Sequence, residues 1–306
     1  MSERRIVLVR NPNSTRAKRV EKDIVAPLNQ TDNVYQEFVT QHPDTEANIE
    51  DMREFFREGD LILSAGGDGT TMQVANAVLR EHHADTLIAP LAVGNFNDIA
   101  GAQRNPIALL SPDAHVETIH PLTVDVNGEY WRDSPAYVTL GATAVLAGSF
   151  GNTDSREAMR QAPEWAKLAY SIGQLGVNYF KVRGDTLSPF HTSQANTVRH
   201  AVTDVLLINN RRVGRIIRSD TDYSAGPVFG YREANVSHIL PNLPFGLRAL
   251  AGKTPADVVS EIRIMFEHAS SVPIQSEGEF TQLHGVHEIF VYKDPAKTLR
   301  LVRATV

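Results

Sequence analysis

Three glycines surround a single carboxylate in Gly66-Gly67-Asp68-Gly69-Thr70, directly after the apolar run Leu61-Ile62-Leu63. The apolar run predicts a buried strand. Beyond the turn, Met72, Val74, Ala75, Val78 and Leu79 recur at helical spacing and predict a helix over Thr71 to Arg80. Strand, glycine turn and helix in that order place the turn's backbone N–H groups at a helix N-terminus, with no Cβ between them and an incoming anion. Phosphate is the group such a turn fits. Asp68 opposes this, because a carboxylate repels phosphate. A divalent cation between the two, or a proton-accepting role at the reacting end of the ligand, reconciles them. A purely structural alternative, a glycine turn in which Asp68 caps the helix, stays open, since isolated glycine motifs arise by accident.

The sequence on either side repeats the same alternation. Ile6-Val7-Leu8-Val9 predicts a first buried strand, broken by Asn11-Pro12-Asn13-Ser14. A helix is expected from about Arg16 to Leu28, with Ala17, Val20, Ile24 and Leu28 on one face and Pro27 near its end. Val34 to Thr40 predicts a second strand, and Thr45 to Arg57 a helix with Ile49, Met52, Phe55 and Phe56 inward and Gly59 as its stop. Leu61 to Ser64 and Leu87 to Leu91 follow as strands. Alternating strand and helix is the pattern of an α/β fold with a doubly wound parallel sheet, in which ligands bind beyond the carboxyl ends of the strands. Three polar loops fall at those ends: Asn11 to Thr15, Gly66 to Thr70 and Gly94 to Asp98.

A chain of 306 residues exceeds what one core usually holds, so two domains are expected. After about Pro121 the texture changes to strand-like pieces: Leu122 to Val126, Tyr137 to Leu140, Ala201 to Ile208, Val213 to Ile217, Val258 to Phe266 and Glu288 to Tyr292. These predict antiparallel β. A helix is expected from Thr153 to about Phe180, and a loop or frayed insertion from Arg183 to Thr197. The predicted domains are therefore an α/β domain over residues 1–120 and a β-rich domain over 121–306, with the last strand, around Thr298 to Val302, returning to pack near the first.

Composition removes several function classes. Hydrophobic residues at 42% and charged residues at 22% describe an ordinary globular protein, and no window approaches the roughly 18 continuous apolar residues of a membrane span. Without cysteine there is no disulfide, thiolate metal site or cysteine nucleophile. The N-terminus, Met1-Ser2-Glu3-Arg4-Arg5, lacks the apolar stretch of a signal peptide, so a cytoplasmic location is expected. A formal net charge of −6 argues against a general nucleic-acid binder. His82, His83, His284 and His287 have no acidic or thiolate partner at a diagnostic spacing and read as surface residues. Arg211, Arg212, Arg215 and Arg218 read as an alternating, solvated strand edge that could also meet anionic headgroups.

Taken in order, the three loops resemble the diacylglycerol kinase-like family of ATP-dependent lipid kinases, which includes sphingosine kinases. Asn11-Pro12-Asn13-Ser14-Thr15 resembles that family's Asn-Pro-x-Ser-Gly loop with threonine for glycine, and the Gly-Gly-Asp-Gly-Thr loop is intact. Gly94-Asn95-Phe96-Asn97-Asp98-Ile99-Ala100 fits its next loop with Asn95 in a threonine position, while Gln73 stands where glutamate is common. Near the C-terminus, Ile274-Gln275-Ser276-Glu277-Gly278-Glu279 resembles Val-Gln-x-Asp-Gly-Glu. Tyr223-Ser224-Ala225-Gly226 departs from an Asp-Asp-Gly segment associated in bacterial members with a structural magnesium site, so that second metal site is not expected. The resemblance implies an α/β nucleotide domain followed by a β-sandwich-like domain, with the active site between them.

It also implies roles for individual residues. Phosphoryl transfer needs phosphates held in line, charge spread by a cation, and an acceptor for the nucleophile's proton. Gly66, Gly67, Asp68, Gly69 and Thr70, with Asn11, Ser14, Thr15, Asn95, Asn97 and Asp98, are implied to bind ATP, and Asp68 to act through Mg²⁺ or water. Glu279 is implied as the general base toward a lipid hydroxyl at a membrane surface, with Glu277 beside it. Glu277 and Glu279 are also ordinary hairpin composition, and Asn95 and Asn97 could be turn formers alone. NAD kinase shares the glycine loop, and a nucleotide-binding regulatory protein without catalysis would share all three loops. Those alternatives stay open.

Overall fold

The computed structural model describes residues 4–12, 17–94, 97–141, 143–145, 190–194, 200–213, 217–234 and 257–305. Residues 1–121 and 295–306 form one compact unit, and residues 122–294 a second.

In the first unit, β1 (Ile6–Arg10), β2 (Tyr35–Val39), β3 (Leu61–Gly66), β4 (Leu87–Ala92), β5 (His115–Ile119) and β18 (Leu299–Arg303) form one sheet in the order β2-β1-β3-β4-β18-β5. All neighbours are parallel except β5, which runs antiparallel to β18. β3 and β4 are buried at every residue, as continuous apolar runs in the middle of a parallel sheet must be. The helices are α1 (Ala17–Val20), α2 (Ala26–Leu28), α3 (Thr45–Phe55), α4 (Asp68–Arg80) and α5 (Pro106–Leu110). A π-helical turn, Glu21–Val25, joins α1 to α2 one turn before Pro27. Proline has no N–H for residue 23's carbonyl and its ring crowds that carbonyl, so the turn widens. Val20, Ile24, Val25 and Leu28 still bury against β1, β3 and β4.

Two helix boundaries differ from the expectation. α3 ends at Phe55, with Phe56 extended, and Gly59, at φ +84°, turns the chain into β3 instead of stopping the helix. α4 starts at Asp68, three residues before the predicted Thr71, because Gly67 already takes the N-cap position. α5 and β5, at 5 residues each, are too short for a periodicity to be read.

β18 brings the C-terminus into the first sheet at a difficult place. Pro90 in β4 has no N–H to give, yet β4 is an interior strand. Gln103 takes over: its Nε2 donates to Pro90 O at 2.9 Å and Val302 O at 3.2 Å, and its Oε1 accepts the Ala304 N–H at 3.1 Å. One side chain thus replaces the missing ladder bonds between β4 and β18.

The second unit is antiparallel. β6 (Leu122–Val126), β7 (Glu129–Ser134), β8 (Tyr137–Gly141), β11 (Asp204–Ile208), β14 (Phe229–Ala234), β15 (Asp257–Val259), β16 (Glu261–Ser276) and β17 (Glu279–Tyr292) follow the order β15-β14-β11-β8-β16-β17-β6-β7. β9 (Phe190–Gln194) pairs with both β10 (His200–Val202) and the first half of β16, whose second half pairs with β8. Val138, Leu140, Val205, Leu207, Phe229, Ile262, Ile264, Ile274, Ile289 and Val291 form its apolar core.

Residues 190–194, expected in a loop, are a strand: their polar sequence hides a ladder supplied by β16. β16 and β17 run far beyond the predicted segments because register shifts between Met265 and Val272 interrupt the apolar alternation without ending the hairpin. Val213 to Ile217, expected as one strand, is instead a hairpin of β12 (Arg212–Val213) and β13 (Ile217–Arg218). The helix expected from Thr153 to Phe180 lies outside the described residues, as does Arg215.

Candidate functional site

In the first unit, β1 leads to β2 on one side while β3 leads to β4 on the other, so the sheet order reverses between β1 and β3. Such a reversal opens a crevice beyond the carboxyl ends of the two strands. The Asn11 loop follows β1 there, and the Gly66–Thr70 turn follows β3. They touch: Asn11 Nδ2 donates to Thr70 Oγ1 at 3.2 Å. The Thr70 side chain lies over Gly66 so closely that a Cβ at residue 66 would overlap it. Glycine is required at this position for packing. Gly67 and Gly69 are the partly exposed glycines of the turn, and the first intrahelical bond runs from Thr71 N–H to Gly67 O at 3.1 Å. α4 is 13 residues long and its N-cap glycine has no side-chain acceptor, so its N-terminus suits an anion.

Asp68 is 2% exposed and its carboxylate serves the neighbouring loop: Oδ2 accepts the Asp98 N–H at 2.8 Å and Oδ1 the Ile99 N–H at 3.0 Å. It does not stand open to solvent. Asn97 closes that loop on itself, Oδ1 accepting the Gly94 N–H at 3.0 Å and Nδ2 donating to Gly94 O at 2.9 Å. Arg303 of β18 then donates from Nη1 to Ile99 O at 2.6 Å and from Nε to Glu117 Oε2 at 2.9 Å. Asp98 and Ile99 are thereby held from outside by Asp68 and Arg303, and Asn97 ties back to Gly94. Ser14, Thr15 and Asn95 lie outside the described residues.

In the second unit, Ser276 pairs with Glu279 and the chain reverses through Glu277 at φ +44° and Gly278 at φ +85°. Positive φ at both central residues is the primed turn that matches strand twist, and glutamate is an unusual occupant of its first position. The carboxylate explains it. Glu277 is 1% exposed, and its Oε1 accepts from Ser134 Oγ at 2.6 Å, Ala136 N–H at 2.6 Å and Tyr137 N–H at 3.1 Å, while Oε2 accepts from Ser276 Oγ. Burial pushes its carboxyl above the usual carboxylate range, and the four donors oppose that rise. The hairpin is locked onto the β7–β8 turn, and Glu279 stands half-buried at the start of β17. The solvated-hairpin alternative fails for Glu277, whose side chain is the clamp.

The same β7–β8 turn gathers further loops. Ala136 O accepts Asn209 N–H at 2.8 Å and Asn210 N–H at 3.2 Å, Asn209 Nδ2 donates to Pro135 O at 2.7 Å, and Asn209 O accepts the Tyr223 N–H at 3.0 Å. Lys293 Nζ donates to Tyr223 O at 2.5 Å and Gly226 O at 2.7 Å, and burial pulls the ammonium down to about 8. A lysine therefore ties the Tyr223–Gly226 turn.

Residues 5–126 match the family model of the diacylglycerol kinase catalytic domain. The segment begins at β1 and includes all three loops. That segment is similar to the diacylglycerol kinase catalytic domain. Two solved structures assigned as diacylglycerol kinases from Bacillus anthracis str. Sterne share the fold. One has a TM-score of 0.67 at 18% identity and covers 100% of both chains. The other has a TM-score of 0.65 at 18% identity, covering 98% of this chain and 97% of that one. Comparison with curated proteins gives no match.

The matched segment contains the Asn11, Gly66–Thr70 and Gly94–Ala100 loops. Asn11, Gly66, Gly67, Asp68, Gly69, Thr70, Asn97 and Asp98 are gathered in the first unit, and Glu277 and Glu279 share one hairpin of the second. Sequence reading did not find Gln103, Arg303, Ser134 or Lys293. Each acts on residues distant in the chain, 199 positions away for Gln103 and Val302, and no motif marks such a bond. Among the described residues no group of three or more acidic or histidine side chains could hold a metal ion, and both Asp68 oxygens already accept amides. No cation site is therefore assigned to the described side chains. No described helix is long and apolar enough to cross a membrane.

Proposed function

We propose that this chain is an ATP-dependent kinase that transfers the γ-phosphoryl group to a hydroxyl of diacylglycerol or a related lipid, working as a peripheral protein at a membrane surface. The observation that carries the reading is the joining of the Gly66–Thr70 and Gly94–Ala100 loops by Asp68, beside Asn11 at the sheet reversal. A nucleotide is held there by the α4 N-terminus and by close approach to Gly67 and Gly69, with Asn11 and Thr70 beside them. Asn97 and Asp98 shape the loop that faces it. Magnesium comes as the counterion of ATP, and no step is assigned to a protein-held ion.

Glu279 accepts the proton of the lipid hydroxyl as the new bond to phosphorus forms. Glu277 holds the turn that carries it. Incubation with labelled ATP, Mg²⁺ and mixed membrane lipids is expected to give a labelled lipid, and Glu279→Gln to abolish turnover while leaving ATP affinity nearly unchanged. Transfer to NAD instead of lipid, or ATP binding with no transfer, would replace this reading with NAD kinase or a regulatory protein. Wild-type turnover in Glu279→Gln would remove Glu279 as the base.

A further inference from the structure

We infer that Lys293 is a positioning residue, which closes the bent β16–β17 hairpin and, through the loops it grips, sets the turn that carries Glu279; the catalytic consequence rests on reading Glu279 as the base. β17 has 14 residues, which as a straight strand would span about 45 Å. Its two ends nevertheless meet. At its start, Glu277 binds Ser134 and Ala136 of the β7–β8 turn. At its far end, Tyr292 pairs with Thr123, which pairs in turn with Asp133, the residue before Ser134. The hairpin therefore curls back on itself. Its register shifts between Met265 and Val272, with Gly285 at φ +68° on the partner strand, supply the bend.

Lys293, the residue after β17, fastens the returning end. It is 8% exposed, and its Nζ donates to two carbonyls of one turn, Tyr223 O at 2.5 Å and Gly226 O at 2.7 Å. Two carbonyl oxygens aimed at one point repel each other unless a positive group lies between them. From that turn the bonds lead back to the start of the hairpin: Tyr223 N–H donates to Asn209 O, Asn209 N–H to Ala136 O, and Ala136 N–H to Glu277 Oε1. Lys293 and Glu277 thus hold opposite ends of one strand to one group of loops.

Stability alone gives a poor account of this lysine. Among the described residues no carboxylate forms an ion pair with it; Asp222, whose charge favours the ammonium, is exposed and accepts from Ser224 N–H and Oγ. Burial pulls the ammonium down to about 8, so keeping it charged below that pH costs folding free energy. An apolar side chain of similar length removes that cost. It cannot hold Tyr223 O and Gly226 O, and through them Asn209 and the β7–β8 turn. Catalysis senses that loss more than stability does, because a reacting group displaced by about 1 Å loses up to about 100-fold in rate.

The test compares Lys293→Met and Lys293→Ala with wild type. Lys293→Met is expected to melt at or above the wild-type temperature, while amides of residues 276–283 exchange about 10-fold faster and those of β1, β3 and β4 exchange as before. On detergent-dispersed diacylglycerol its kcat is expected to fall about 10-fold or more with KM for ATP unchanged. Lys293→Ala removes the atoms of n-propylammonium; that amine is expected to restore both exchange and kcat, and tetramethylammonium to restore neither. Wild-type exchange over residues 276–283 in Lys293→Met overturns the proposal, as does wild-type kcat alongside faster exchange. Unfolding of both variants that the amine does not reverse overturns it too. If wild type phosphorylates no lipid, the kinase reading fails and the exchange data still decide the clasp. If wild type is active and exchange is unchanged, the clasp alone fails.

Discussion

Replacing Asp68 by asparagine separates a loop clamp from a metal ligand. The wild-type carboxylate accepts two backbone amides, at 2.8 Å from Asp98 and 3.0 Å from Ile99. Asp98 is 7% and Ile99 4% exposed, so water does not readily replace a lost acceptor. Asparagine keeps one oxygen and turns an NH₂ toward the second amide. One charge-assisted bond is lost, the other becomes neutral, and the facing donors repel. Hydrogen bonds to charged groups contribute about 1.5–3 kcal/mol each, so the loop loses about 3 kcal/mol of local stability. That corresponds to about 100-fold faster amide exchange at Asp98 and Ile99 if these amides exchange by local opening. The measurement is hydrogen–deuterium exchange by mass spectrometry on the segment containing residues 94–104, without nucleotide and in a chelator. Exchange unchanged within about threefold in the chelator, with nucleotide binding nonetheless lost, would refute the clamp and return Asp68 to a metal role.

Gly66→Ala is expected to destabilise the first unit by about 3 kcal/mol and to weaken ATP binding, because the new methyl overlaps the Thr70 side chain; calorimetry of the free and ATP-bound protein checks both effects. Asp204, whose carboxylate accepts Thr143 N–H at 2.9 Å and Thr143 Oγ1 at 2.5 Å, is raised by burial from its ordinary 3.8 to about 6. The folded state binds its proton more tightly, so this contribution is complete below 3.8 and is lost as pH rises to about 6; urea unfolding should show that decline in wild type and not in Asp204→Asn. Gln103→Ala leaves Pro90 O, Val302 O and the Ala304 N–H without this partner and is expected to cost about 2–3 kcal/mol, read as faster exchange in residues 299–305 with little change in the second unit.

The first unit was legible because its central strands β1, β3 and β4 are buried on both faces. Ile6-Val7-Leu8-Val9 and Leu61-Ile62-Leu63 carry no polar residue, and between them helical spacing is unambiguous. The glycine turn was legible for the same reason: backbone approach demands glycine locally. The second unit resisted reading where strands are polar. Phe190–Gln194 is a strand because β16 lies beside it, and residues 267–271 continue a hairpin through irregular register. Neither neighbour is visible in the local sequence.

The amino-acid sequence alone determined the strand-turn-helix units and the chemistry of their loops, since propensity, apolar period and glycine conformation act within a few residues. The tertiary structure decided which groups those loops employ. Asp68, first read as facing phosphate or a cation, gives both oxygens to the amides of residues 98 and 99, and Glu277, first placed beside the base, is the buried clamp of its turn. A carboxylate's role depends on which donors fold around it, and here, apart from the adjacent Ser276, those donors come from residues 30, 31 and more than 130 positions away. The Gly66–Thr70 turn is legible by itself as a glycine turn at a helix N-terminus; that Asp68 builds the neighbouring loop emerges only when the chain has folded.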